Sequence, residues 1–350
     1  MKLTPARIEP QFRPRIWGAR SLAPLFPEKT ELAEPIGEVW LTGDDCTFAT
    51  GPFAGRKLAE VWPEMPPEWA GRRLATQAAF PLLVKFLFPE EKLSVQVHPD
   101  DDYAQQHEAA AGGLGKTEMW YAMTARPGAE VMVGLKPGTT PEAFRRAIVD
   151  GTVEEWLERI PIRSGDAIFV PAGTVHTIGP GLVLCEIQEN SDITYRVFDY
   201  DRLTAEGTPR PLHIEQALEV INFREQSGGR LEPVRIYRGQ VTETYFLACR
   251  YFATEKWEFA QRIAAVTSSE HFDLLVFLRG SGRIECHGNA LDYSPAQVWL
   301  FPAALGAYQL APASPTRLLR TYVPDIVNDF VRRLADQHIE EAIWSRLVFP

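Results

Sequence analysis

GDAIFVPAGTVH, residues 165–176, runs from a short apolar stretch into a turn built from Pro171, Ala172 and Gly173 and delivers His176 directly after it. Two further strings lie upstream, SVQVHPDD (94–101) and GKTEMWY (115–121). Side chains alternate along a strand, so the first of these puts Gln96 and His98 on one face and the second puts Glu118 and Trp120 on one face. Gln96, His98, Glu118 and His176 thus offer two nitrogen and two oxygen ligands from different strands. That donor set suits a divalent metal with room left for water or substrate.

The bulk composition narrows what such a site serves. A chain of 350 residues with 45% hydrophobic content is long enough for two globular domains. It contains no apolar run of membrane-spanning length, and MKLTPARIEPQF at the start lacks a signal-peptide core, so a soluble, intracellular, cytoplasmic protein is expected. Cys46, Cys185, Cys249 and Cys286 form no CxxC pair and read as buried reduced thiols. A net charge of −10 without a basic run argues against nucleic acid as a partner. It also requires any anionic substrate to be drawn in by a local basic cluster, for which Lys85, Lys116, Arg196 and Arg202 lie in or beside the motif segments.

Heavy Pro and Gly punctuation, 28 and 25 residues, with apolar runs of four to eight residues predicts a mainly β protein. Strands are expected over 80–88, 92–98, 118–124, 130–135, 166–171, 182–188 and 193–200. A helical insertion near 141–160 is capped by Thr140, opened by Pro141 and split at Gly151. Residues 224–240, with Gly228 and Gly229 adjacent, read as a linker. Further strands are expected at 245–252, 272–288, 297–303 and 317–324. After Pro324, Ile326, Phe330, Leu334 and Ile343 recur at helical spacing behind Asp325, predicting an amphipathic terminal helix over 325–347.

Gly165, Pro171, Gly173 and His176 have the spacing G-x5-P-x-G-x2-H, which resembles the second signature of the cupin β-barrel. SPAQVWLFPAALGA (294–307) repeats the passage in degraded form, with Pro302 kept and Ala304 and Ala307 where the Gly and His would stand. The expectation is two cupin-like (jelly-roll) β-barrel domains: 1–230 with the metal site, 231–324 without one, then a helical extension, 325–350. QVHPDD, GKTEMWY, FVPAGTVHTIGPGLVLCEIQENSDITYRVFDYDR, IWGARSL and IGEVW together resemble type I mannose-6-phosphate isomerase in its shorter bacterial form, over roughly 1–324.

That resemblance implies one Zn²⁺ per chain on Gln96, His98, Glu118 and His176, with Arg196 as the catalytic arginine. It implies a sugar phosphate substrate, mannose 6-phosphate in exchange with fructose 6-phosphate, and a monomer or homodimer. Aldose–ketose exchange removes a hydrogen beside a carbonyl, and the enediolate's charge needs a holder. With one Glu ligand a Zn²⁺ site keeps a formal charge of +1 and can act as a Lewis acid. Arg196 can hold either the oxyanion or a phosphate. Lys116, two residues before Glu118 and so on its face, is either the proton carrier or a phosphate binder. Lys85, Ser94 and Arg202 are further phosphate candidates, and Trp120 a candidate pocket wall.

Read singly, these residues have plainer explanations. His98 suits a turn anchor, Glu118 a surface ion pair, and Arg196 a partner for Asp192 or Asp199. The joint occurrence of the ligand set carries the metal reading. His107, His213, His271, His287 and His338 have no partner spacing and read as structural or surface residues. A cupin metal dioxygenase would use three His and one Glu, which Gln96 disfavours. A non-catalytic sugar-binding or regulatory protein would keep the barrel without turnover.

Overall fold

A computed structural model describes residues 3–23, 25–204, 207–224 and 228–349. Its first half is a two-layer sandwich. One layer is a seven-stranded sheet in the order Gly229–Arg230, Ala167–Val170, Glu118–Ala125, Leu182–Glu189, Leu82–Leu87, Ile36–Trp40, Gln11–Ala19. The other is a five-stranded sheet in the order Tyr195–Phe198, Val95–Val97, His176–Ile178, Glu130–Leu135, Leu157–Pro161. Val, Ile and Leu alternate along these strands, so the facing sides can bury Leu87, Trp120, Val131, Val133, Ile168, Val170 and Ile178 between the layers.

The outer side of the five-stranded sheet is covered by short helices. Phe144 and Ile148 of Pro141–Asp150 and Ala217 of Ile214–Val220 pack there on Val95, Val97 and Val197. The insertion forms as its sequence predicts, with Thr140 Oγ1 accepting from the Ala143 amide at 3.2 Å and Gly151 stopping the helix at φ 70°.

The second half repeats the design. A nine-stranded sheet runs Val234–Arg238, Val241–Cys249, Ala253–Phe259, Thr316–Tyr322, Asp273–Arg279, Val298–Phe301, Ala6–Glu9, Thr47–Phe48, with Val348–Phe349 parallel to Val241–Cys249. It faces a four-stranded sheet of Ile263–Val266, Ala307–Pro312, Gly282–Cys286 and Asn289–Tyr293. The backs of the two large sheets meet in the largest core, where Val84, Phe86, Met119, Cys185 and Ile187 pack with Phe246, Leu274, Val276, Leu300 and Leu319. The N-terminal strand Ala6–Glu9 pairs antiparallel with Val298–Phe301, Ile8 opposite Val298.

The expectation of a mainly β protein with two jelly-roll-like halves holds: among the described residues each half is a sandwich of two facing sheets without a closed barrel, because two layers packed face to face bury the alternating side chains without joining their edges. Two expectations are corrected. The expected linker is partly sheet. Val234–Arg238 forms an edge strand on Val241–Cys249, and Gly229–Arg230 pairs with Ala167–Val170, while 225–227 lie outside the described residues. The terminal helix is broken into short turns, Ile326–Val331, Arg332–Ala335 and Glu341–Trp344. His338 at φ 58° and the Ile339 amide bonded to Leu334 O end the first segment as a left-handed cap. Phe330, Leu334 and Leu347 are buried on Tyr245 and Tyr322, whereas Ile343 is exposed. Among the described residues, no helix is long and apolar enough to cross a membrane.

The turn that precedes His176 depends on Gly173. Its φ is +80°, its amide donates to His98 O at 2.8 Å, and a Cβ there would lie 2.9 Å from Val220 O. Gly173→Ala is therefore expected to destabilise the protein by about 1–3 kcal/mol. A denaturant titration checks this, and an unchanged midpoint would show that the turn tolerates a side chain.

Candidate active site

His176 opens its strand directly opposite Gln96, and Gln96 is directly opposite Arg196 on the next strand. Directly opposed residues share a face, so these three side chains form one row on the inner side of the five-stranded sheet. Glu118 reaches the same place from the seven-stranded sheet, and His98 from the turn after Val95–Val97. Burial classes them all as interior except Gln96 and Arg196, which are half-buried.

Each histidine is held by its far nitrogen. His98 Nδ1 lies 2.8 Å from Ile193 O and His176 Nδ1 lies 2.9 Å from Thr174 O, so both rings donate there and present Nε2 lone pairs inward. Burial and the Lys116 charge hold the His98 imidazole down at about 3, and burial also lowers His176, so both are neutral at physiological pH. Burial alone would raise the Glu118 carboxyl, but Lys116 and His98 outweigh it and hold it well below the ordinary carboxylate range. Neutral imidazoles and an ionised carboxylate are the protonation states that a metal requires.

The spacing agrees. Ligand atoms about 2.1 Å from one tetrahedral ion lie roughly 3.3–3.4 Å apart. Here His98 Nε2 is 3.3 Å from Glu118 Oε1, His176 Nε2 is 3.8 Å from Glu118 Oε2, and the Gln96 amide nitrogen is 3.2 Å from His176 Nε2. Gln96 Oε1 accepts from Ser94 Oγ at 3.3 Å, and a half-turn of the amide exchanges its oxygen and nitrogen. The residues present therefore fit a divalent cation. Lys116 donates to His98 Nε2 at 3.0 Å and forms an ion pair with Glu118.

The remaining sequence candidates separate into two sets. Lys116, Ser94 and Trp120 lie in the cluster. Trp120 is buried, donates Nε1 to Glu118 Oε2 at 3.1 Å and meets the His176 ring edge-on at 5.3 Å, so it braces two of the clustered residues from behind. Lys85 is buried deeper in the sheet between Glu186 at 3.4 Å and Asp192 at 3.5 Å; burial lowers its ammonium but Glu38 and Glu186 raise it further. Arg202 closes on Asp199 at 2.6 Å and on the Lys92 carbonyl, away from the row. Arg196 takes neither aspartate as a hydrogen-bond partner: its Nη1 donates to Pro211 O at 2.9 Å and its buried Nε has no partner. Asp199 is held instead by Arg202 and Arg210.

One group escaped the sequence reading. Glu186 is buried opposite both Lys85 and Trp120, and burial together with the Glu118 charge pushes its carboxyl up to about 7. Its signal was the period-two pattern of LVLCEIQE, which places a carboxylate on the inner face of a central strand. A second missed signal lies in Glu-x-Trp, which occurs five times, three of them, 38–40, 118–120 and 255–257, on strands of the two large sheets. In each of these three, the indole donates to the carboxylate two residues back, at 2.7, 3.1 and 2.9 Å.

Comparisons with known proteins converge on one family. Residues 6–130 match the profile of the phosphomannose isomerase type I catalytic domain. The chain is 37% identical over 310 residues to the probable mannose-6-phosphate isomerase GmuF of Bacillus subtilis (strain 168), covering 87% of this chain and 96% of that protein. It is 34% identical over 320 residues to mannose-6-phosphate isomerase ManA of the same organism, covering 89% and 96%. The crystal structure of mannose 6-phosphate isomerase from Bacillus subtilis superposes with a TM-score of 0.82 at 30% identity, covering 91% of this chain and 99% of that one.

Proposed function

The chain belongs to the type I phosphomannose isomerase family, and from that premise we propose that it interconverts mannose 6-phosphate and fructose 6-phosphate at a zinc site made by Gln96, His98, Glu118 and His176, in the cytoplasm. The observation that carries this reading is the pair of Nδ1-anchored histidines whose Nε2 atoms face the same carboxylate. A zinc ion there supplies Lewis-acid stabilisation of the negative charge that develops on the sugar oxygens.

The protein's own side chains do the rest. The reaction moves a proton between C2 of the aldose and C1 of the ketose through an enediolate. Lys116 Nζ, inside the ligand cluster, is the proton carrier of this reading: as a neutral amine it takes the proton from one carbon, and the ammonium so formed, ion-paired with Glu118, returns it to the other. Glu186, pushed up to about 7, holds an exchangeable proton near neutral pH and is assigned to ring opening, where a sugar oxygen must be protonated. Arg196, with an unpartnered Nε on the same face as Gln96, binds substrate oxygens. Sandwich layers packed with Val, Ile and Leu keep bulk water from the enediolate.

Chelation tests the metal directly. In a coupled assay with mannose 6-phosphate, the chelated protein is expected to lose nearly all turnover and to regain it with added Zn²⁺. Full activity after removal of all bound metal would refute the metal-assisted reading. Restoration by iron but not zinc would refute zinc.

A further inference from the structure

The second half carries a modified copy of the same interior. Its large sheet orders Val234–Arg238, Val241–Cys249, Ala253–Phe259, Thr316–Tyr322, Asp273–Arg279 and Val298–Phe301 as the first orders Gln11–Ala19, Ile36–Trp40, Leu82–Leu87, Leu182–Glu189, Glu118–Ala125 and Ala167–Val170. The turn prolines fix the register between the copies. Val170, before Pro171, lies opposite Glu118, and Phe301, before Pro302, lies opposite Asp273.

Stepping strand to strand from there, Glu186 lies opposite Trp120 and Lys85, while Arg320 lies opposite Leu275 and Glu255. Asp273 therefore stands where Glu118 does, Arg320 where Glu186 does, and Glu255 where Lys85 does. Two of the three charges are exchanged, and the inward residue after the turn is Tyr308 rather than a histidine.

Beside Arg320 opens a cavity of about 770 Å³. That is ample for a hexose-sized ligand. Its walls carry Arg238, Arg262, Arg320 and Arg333, each ion-paired: Arg238 and Arg333 with Glu243, Arg262 with Glu285, and Arg320 with Glu255 and Asp273. Arg320 is 6% exposed and donates to Glu255 at 2.8 Å and Asp273 at 2.9 Å, yet its Nε has no partner. The second carboxylate oxygen of Asp273 and the Tyr308 hydroxyl are likewise buried without partners. Buried polar atoms are almost always paired, and of these three residues Arg320 lines the cavity, so its Nε is a donor that a ligand there can satisfy. Arg238 and Arg262, paired with Glu243 and Glu285, stand half exposed over the mouth.

We propose that this cavity is a second ligand site, for a phosphate-bearing metabolite of hexose size, separate from the isomerase centre. The half-exposed rim guanidiniums can turn from their carboxylates to a phosphate, while Arg320 Nε donates to hydroxyls and the Glu243 and Asp329 carboxylates of the walls accept from them.

The full-length His176→Ala protein, kept in chelator, is titrated calorimetrically with D-glucose 6-phosphate and with D-glucose. Saturable binding of the phosphate ester, with D-glucose at least about tenfold weaker, is expected. Val266 is 70% exposed on the cavity wall, so Val266→Trp can fill the mouth without disturbing the fold. It is expected to weaken binding at least about tenfold while leaving isomerase turnover unchanged. Arg262→Ala, another exposed change, weakens binding in the same direction. No binding by the His176→Ala protein overturns the proposal. So does equal affinity in Val266→Trp and its parent, or D-glucose binding as tightly as its phosphate.

Discussion

His176→Ala should release the metal and with it at least about a thousandfold in kcat, the upper end of what one lost charge-stabilising group costs. The side chain is fully buried, its Nδ1 is committed to Thr174 O, and its Nε2 is, among the described residues, one of two imidazole nitrogens grouped with Glu118. Removing it costs the hydrogen bond to Thr174 O, about 0.5–1.5 kcal/mol, and leaves a cavity beside Trp120. The fold should survive that loss, because the core between the layers is supplied by other strands. Elemental analysis of the purified variant, with circular dichroism to confirm folding, reads the result. A folded variant that keeps its metal would remove His176 from the ligand set.

Arg196→Ala has the opposite signature. The guanidinium lies one strand beyond Gln96 and touches none of the clustered histidines or Glu118, so bound metal should be unchanged while kcat falls by about a hundredfold or more. Arg196→Lys should recover little of it, since an ammonium cannot reproduce a planar fork of donors. Loss of metal in Arg196→Ala would make the residue structural, and full activity would remove it from the mechanism. Together the two variants separate holding the cation from handling the sugar.

The spatial convergence of Gln96, His98, Glu118 and His176 was legible because strand alternation is a local rule, and each motif obeys it over three to five residues. What escaped was non-local. Nothing in ARIE (6–9) announces that it will pair with a strand nearly three hundred residues away, and that pairing extends the second sheet. VRIYR (234–238) has the alternation of an edge strand, but the neighbouring glycines overrode it in the reading. The terminal segment kept its apolar spacing while His338 adopted a left-handed conformation that propensity does not forecast. Lys85 shows the same limit in the site. Its charge pointed to phosphate, but only the register reveals that Glu186 lies opposite it. His271, which has no partner spacing in the sequence, lies 3.3 Å from Asp273 in the second interior.

The back-to-back meeting of the two large sheets makes the halves mutually dependent. Phe86, Met119 and Ile187 would face water if the second half were absent, as would Leu274, Val276 and Leu300 without the first. The opening strand belongs to one half by chain and to the other by hydrogen bonds. The two similar lobes are welded along that apolar face, so neither can be truncated or exchanged as a freestanding module.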